Sequence, residues 1–136
     1  MTPYESEVTA QLRELGCPVY VTHMDDNPPW RSIQFLSALI NHQQIDLIHA
    51  HLPKAQVLSG VTACMTHTPF LTTIHGMDIT SFELGILRTT GSYLTVVCQT
   101  AYAQALSLGL SEEKITLVPN GVDVGLFTTR VNGQHF

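Results

Sequence analysis

The sequence predicts an α/β fold: a wound parallel sheet with crossover helices, in a single domain. Three observations carry this. Short runs of β-branched and aromatic residues alternate with stretches of helical period along most of the chain. The connections between them are short, as in strand–helix–strand units. Each strand ends in a polar exit, and ligands of such sheets bind at the carboxyl ends of the strands.

The elements justify themselves in order. Thr2-Pro3-Tyr4-Glu5 reads as a helix start, with Thr2 and Glu5 as a capping box and Pro3 in the first turn. Tyr4, Val8, Leu12 and Leu15 then fall on one face, which predicts a core-facing stripe, and Gly16 and Pro18 close the helix. Val19-Tyr20-Val21 is a short strand with the exit Thr22–Asp26. Asn27-Pro28 opens a second helix, whose Ile33, Leu36 and Ile40 form a stripe widened by Phe35 and Leu39. The next strand is Asp46–Ala50, with exit His51-Leu52-Pro53. A helix follows from about Lys54 to Thr66, with Ala55, Leu58, Val61 and Met65 expected inside.

Phe70–Ile74 is the following strand, and its exit is His75-Gly76-Met77-Asp78. Thr80 and Glu83 offer a capping box for a helix that Gly91 ends. The strand Tyr93–Cys98 exits through Gln99-Thr100, with Thr100 expected to cap the helix Ala101–Leu108. Ser111-Glu112-Glu113 turns the chain into Lys114–Asp123. There Ile115, Leu117 and Val118 make a strand, Pro119 stops it, and Asn120-Gly121 reads as a turn. The tail 128–136 has no clear period, so the domain is expected to occupy 1–127.

Composition excludes several function classes. Six basic against eleven acidic residues give a net charge of −5, which is no footprint for nucleic acid. No run approaches the roughly 18 apolar residues of a membrane helix, and the first ten residues do not form a signal peptide. Cys17, Cys64 and Cys98 are odd in number and sit in apolar surroundings. Buried free thiols and a cytoplasmic location are the expectation.

Chemistry concentrates at the strand exits. The chain has seven histidines, and His49, His51 and His75 lie at two successive strand ends. Residues 49 and 51 share a face of their strand. Three readings are open: a metal site with Asp78, a satisfied sheet histidine at His49, and hydrogen bonding to a polyhydroxylated or phosphorylated ligand. Gly76 favours the last, because it lets a ligand approach the backbone. No further close ligand group supports a metal, so none is expected. No nucleophile elbow is present, and neither GxGxxG nor GxxxxGK[ST] occurs. Asp25-Asp26 and Glu112-Glu113 are adjacent pairs that do not face each other across a substrate, and read as solvated loop charges.

Asp46–Pro53 (DLIHAHLP), Phe70–Asp78 (FLTTIHGMD) and Lys114–Asp123 (KITLVPNGVD) together resemble the N-terminal domain of family 4 glycosyltransferases. The resemblance spans about residues 4 to 127 and implies half of a GT-B fold, a Rossmann-like domain. It implies retaining transfer from a nucleotide-sugar donor, with this domain on the acceptor side and no cofactor. His75 matches the family's strand-end histidine near the reacting centre, the catalytic candidate. His51, Gly76, Asp78, Asn120, Gly121 and Asp123 are the substrate-binding candidates, the last three at the passage towards the donor domain. The implied partner is a sugar or sugar-lipid acceptor.

Two departures from the family pattern stand out. The first strand with its glycine-rich loop is missing before Tyr4, and the donor domain with its E-x7-E motif is missing after about Phe127. The chain therefore reads as a fragment, inactive alone, and either self-associating or completed by another chain. The alternatives are a non-catalytic sugar- or phosphate-binding module, a GT-B relative such as a nucleotide-sugar epimerase, and a metal hydrolase using the histidine tips.

Overall fold

The structure is a computed structural model and describes residues 1–125, so the predicted tail 128–136 lies outside the described residues. The elements are helices α1 (Glu7–Glu14) and α2 (Trp30–Gln43), strand β1 (Ile48–His51), helix α3 (Pro53–Thr66), strand β2 (Phe70–Ile74), helix α4 (Ser81–Thr90), strand β3 (Tyr93–Val96), helix α5 (Gln99–Ser107) and strand β4 (Ile115–Leu117). A single 3-10 turn, Glu112–Lys114, leads into β4. The strands form one parallel sheet in the order β1-β2-β3-β4. The wound α/β expectation holds.

Spatial order equal to chain order has a consequence. Each right-handed crossover steps the same way, so every crossover helix lands on the same face of the sheet. The register shows it. Ile48, Phe70, Thr72, Ile74, Leu94, Val96 and Ile115 share one face. On it, Ile48, Ala50 and Phe70 pack with Ile33, Leu36 and Ile40 of α2 and Leu58 and Ala63 of α3. Ile74, Leu94, Val96 and Ile115 pack with Leu87 of α4 and Ala101 and Ala105 of α5. The opposite face carries His49, His51, Leu71, Thr73, Tyr93, Thr95 and Thr116, with Tyr93 still 56% exposed. Parallel sheets are ordinarily covered on both faces.

Five sequence expectations fail, most of them near the N-terminus and on α3. The stripe of α1 is not core-facing: Tyr4, Val8, Leu12 and Leu15 are exposed, and Thr9 is its buried residue. No residue of α1 enters either core cluster, so among the described residues its apolar face joins no core. Its capping box is Ser6 with Thr9, not Thr2 with Glu5. Thr2 pairs instead with residues 20–22, and the Glu5 carboxylate is held by Arg13 at 2.7 and 2.8 Å. That guanidinium, with a hydrogen bond from Thr9, keeps the Glu5 pKa at about 2.

Val19–Val21 does not become a strand of the sheet. Among the described residues it makes one parallel bridge, Thr2 to Val21, too short a pairing to form a strand. Val61 and Met65 of α3 are exposed; the inward side of that helix is Gln56, Leu58, Ser59, Gly60, Thr62 and Ala63. The thiols are free but not buried: Cys17 and Cys64 are exposed and Cys98 is intermediate. Cys17 follows the unpacked α1, and Cys64 lies on the outer side of α3.

Two corrections concern the later elements. α5 takes Cys98 as its N-cap, without a side-chain hydrogen bond, so Thr100 lies inside the helix. Asn120-Gly121 forms no turn. Among the described residues the positive-φ glycines are Gly16, Gly91 and Gly109, and the chain turns at Val124-Gly125, where Gly125 N–H donates to Asp123 Oδ1 at 2.9 Å. The α4 prediction does hold. Thr80 Oγ1 accepts from Glu83 N–H at 3.2 Å, and the Glu83 carboxylate accepts from Thr80 N–H and its hydroxyl at 3.0 and 2.7 Å. Thr80→Ala is therefore expected to cost about 1 kcal/mol; a urea melt unchanged from wild type would contradict this.

Candidate functional site

The site grows from the period of two adjacent strands. In β1, Ile48 and Ala50 turn into the core, so His49 and His51 must turn to the uncovered face. Parallel register sets His51 beside Thr73 of β2, and His75 follows one step past the strand end. The three rings meet there. His51 Nδ1 lies 2.9 Å from His75 Nε2. The rings of His49 and His51 are 4.2 Å apart, and those of His51 and His75 are 5.1 Å apart. His49 Nε2 is 2.7 Å from Thr73 Oγ1.

His49 is thus hydrogen-bonded within the sheet, yet its ring is exposed rather than buried. No group of three or more His, Cys, Asp or Glu among the described residues has metal-holding geometry. Burial lowers the pKa of His51, and His49 and His75 lower it further. The unfolded chain binds that proton at about pH 6.5 and the folded chain only below it. Stability is therefore full above the unfolded value and is lost as pH falls through the folded one. Thermal melts between about pH 7 and about pH 5 should show this fall, and His51→Asn should reduce it. An equal fall in both proteins would contradict the assignment.

A cleft of about 610 Å³ opens beside His51. Tyr4, Met24, Leu52 and Pro53 give it apolar walls, and Asp26 and Lys54 add charge. Leu52, which joins β1 to α3, has φ 71° and ψ 147°. That region costs a non-glycine residue roughly 1–3 kcal/mol and is found where a site constrains the backbone. Sequence reasoning missed this turn, the cleft and Thr73. Thr73 was detectable, since β alternation places it on the face of residues 71 and 75.

The other candidates are distributed along the same end of the sheet. Gly76 and Asp78 continue from His75 and are exposed. Gly76 has no positive φ, and a Cβ there would meet only Asp78 backbone atoms at 3.6 and 3.8 Å, so its exposure rather than its fit favours ligand approach. Asn120, Gly121 and Asp123 follow β4 and are also exposed. β3 separates β4 from β2, and no hydrogen bond joins this stretch to the histidines among the described residues. The structure brings His49, His51, Thr73 and His75 together and leaves the Asn120–Asp123 stretch two strands away.

Residues 2–126 match the model of the family described as Glycosyltransferase Family 4. No curated protein matches the chain. Among solved structures, a glycosyltransferase from Rickettsia africae has a TM-score of 0.74 at 16% identity, over 90% of this chain and 35% of its own. HepE of Anabaena, solved in complex with UDP-glucose, has a TM-score of 0.66 at 19% identity, over 91% of this chain and 36% of its own. The likeness at these identities is one of fold. The chain spans about a third of the length of these structures.

Proposed function

The chain belongs to glycosyltransferase family 4, and from that membership we propose that it forms the acceptor-side half of an enzyme transferring sugar from a nucleotide-sugar donor. The observation that carries this is the histidine cluster at the carboxyl ends of β1 and β2, where a wound sheet binds its ligand. His75 hydrogen-bonds a sugar hydroxyl near the reacting centre. His51, Gly76 and Asp78 complete the acceptor side. Asn120, Gly121 and Asp123 lead from the sheet towards the donor side. The cleft beside His51 suits an acceptor with an apolar portion, such as a sugar-lipid.

The acceptor half alone does not complete transfer in this reading, since the chain spans about a third of the length of the glycosyltransferases that share its fold. No helix among the described residues is long and apolar enough to cross a membrane. Free, exposed thiols support a cytoplasmic setting. Calorimetric titration with hexoses and hexose phosphates tests the reading. Saturable binding that is lost in His75→Ala supports it, and binding that survives the substitution unchanged refutes it.

The sheet also supports an interaction with a second chain. The outer edge of β1 pairs with no strand among the described residues, and Met1, Ile45, Leu47 and Ile48 border an apolar cavity of about 230 Å³ there. An unpaired edge beside an uncovered face recruits further strands. Sedimentation of the chain should show self-association, or its suppression by a complementing chain. A monodisperse monomer with a sharp melt argues against this.

A further inference from the structure

Two imidazoles meet at the strand tips with only one possible contact, His51 Nδ1 to His75 Nε2 at 2.9 Å. A hydrogen bond of that length needs one N–H and one lone pair. Each neutral ring carries a single N–H, which leaves two arrangements. If His51 Nδ1–H donates, His75 bears its proton on Nδ1 and His51 Nε2 is bare. If His75 Nε2–H donates, His75 Nδ1 is bare and His51 bears its proton on Nε2. In both cases the two outward nitrogens are unlike: one donates and the other accepts. Neither His51 Nε2 nor His75 Nδ1 has a protein partner among the described residues, and both residues are exposed.

The surroundings keep this pair distinct from the third ring. His49 commits its Nε2 to Thr73, and its ring lies beside that of His51 at an inclination of 42°. Asp26 and Lys54 line the same cleft as His51, and Asp78 follows His75 three residues on. None of these three side chains hydrogen-bonds either ring among the described residues.

We propose that His51 is a positioning residue that couples its own tautomer to that of His75, so that in either arrangement the neutral pair presents one donor and one acceptor to two neighbouring hydroxyls of a ligand. The ligand class, a vicinal diol of a sugar, rests on the glycosyltransferase reading; the tautomer lock does not. An added proton turns both outward nitrogens into donors while the inner N–H···N contact persists. A diol that donates to one ring and accepts from the other then loses one of its two bonds. Burial and the neighbouring rings lower the pKa of His51, which favours its neutral form.

Imidazole ¹⁵N spectra of the intact chain test the lock without any ligand. The pair should show one hydrogen-bonded N–H shared between His51 Nδ1 and His75 Nε2, with tautomer populations that are complementary: His51 Nε2 is bare to the extent that His75 Nδ1 is protonated. In His51→Phe the shared N–H should vanish and the His75 tautomer populations should change to those of an uncoupled imidazole. His51→Asn, whose amide is able to donate or accept where Nδ1 lies, should restore a hydrogen bond to His75 Nε2. Backbone spectra of both variants confirm that the fold is retained, as expected for an exposed site. Glucose at neutral pH should shift the outward nitrogens, and its affinity should fall about tenfold once the pair is protonated. A His75 tautomer unaffected by His51→Phe overturns the inference. An intact lock with no response to glucose or to hexose phosphates overturns the sugar reading instead.

Discussion

Leu58→Ala should destabilise the chain by about 2–5 kcal/mol. Leu58 is 1% exposed and sits on the inward side of α3. It packs in the cluster that joins Ile33, Leu36 and Ile40 of α2 to Ile48, Ala50 and Phe70 of the sheet. Truncation removes transfer energy and leaves a cavity among side chains held from several sides. The effect is large because the whole stability of a domain is roughly 5–15 kcal/mol. It is larger still in consequence here, because the helices cover one face of the sheet and the other face contributes little apolar burial. Leu12→Ala on α1 is the internal contrast: Leu12 is exposed and its helix joins neither cluster. Its expected cost is within about 0.5 kcal/mol. Urea midpoints measure both; equal shifts for the two variants would contradict the one-sided core.

His75→Ala should weaken sugar binding by about ten- to a hundredfold while leaving the melt almost unchanged. The imidazole is exposed, so its removal opens no cavity. It does remove the partner of His51 Nδ1 and one of the two outward nitrogens at the strand tips. A ligand hydroxyl left without its partner loses more than an average hydrogen bond contributes, which sets the upper end of the range. His42→Ala provides the comparison. His42 is exposed in the last turn of α2, where the chain enters the opposite end of the sheet, and should leave affinity unaltered. Equal loss in both variants would detach binding from the strand tips.

Strand character was legible wherever side chains alternate between core and surface. Ile48 and Ala50 against His49 and His51 set both the strand and the site, because one face is buried and the other is not. The capping box of Thr80 and Glu83 was equally legible, since its partners lie three residues apart in the chain. The α1 stripe misled for a physical reason. Apolar residues at helical spacing show what a helix is able to bury, and not whether anything lies there to bury it against. Val61 and Met65 failed likewise: α3 lies between α2 and α4, and its inward side uses small and polar residues, including Gln56 at 1% exposure. Asn120-Gly121 has turn chemistry, but the chain stays irregular there and turns later. The contact of His51 with His75 depends on register between strands 24 residues apart, which no local pattern contains.

Chemical-shift mapping of the ¹⁵N-labelled chain titrated with hexoses and hexose phosphates tests the account most directly. Saturable shifts should concentrate at His51, His75, Gly76 and Asp78, with smaller ones along the cleft at Tyr4 and Lys54. Shifts gathered instead in the apolar groove between α3 and α4, at Val61, Met65 and Phe82, or no shift at saturating sugar, would contradict an acceptor site at the strand tips.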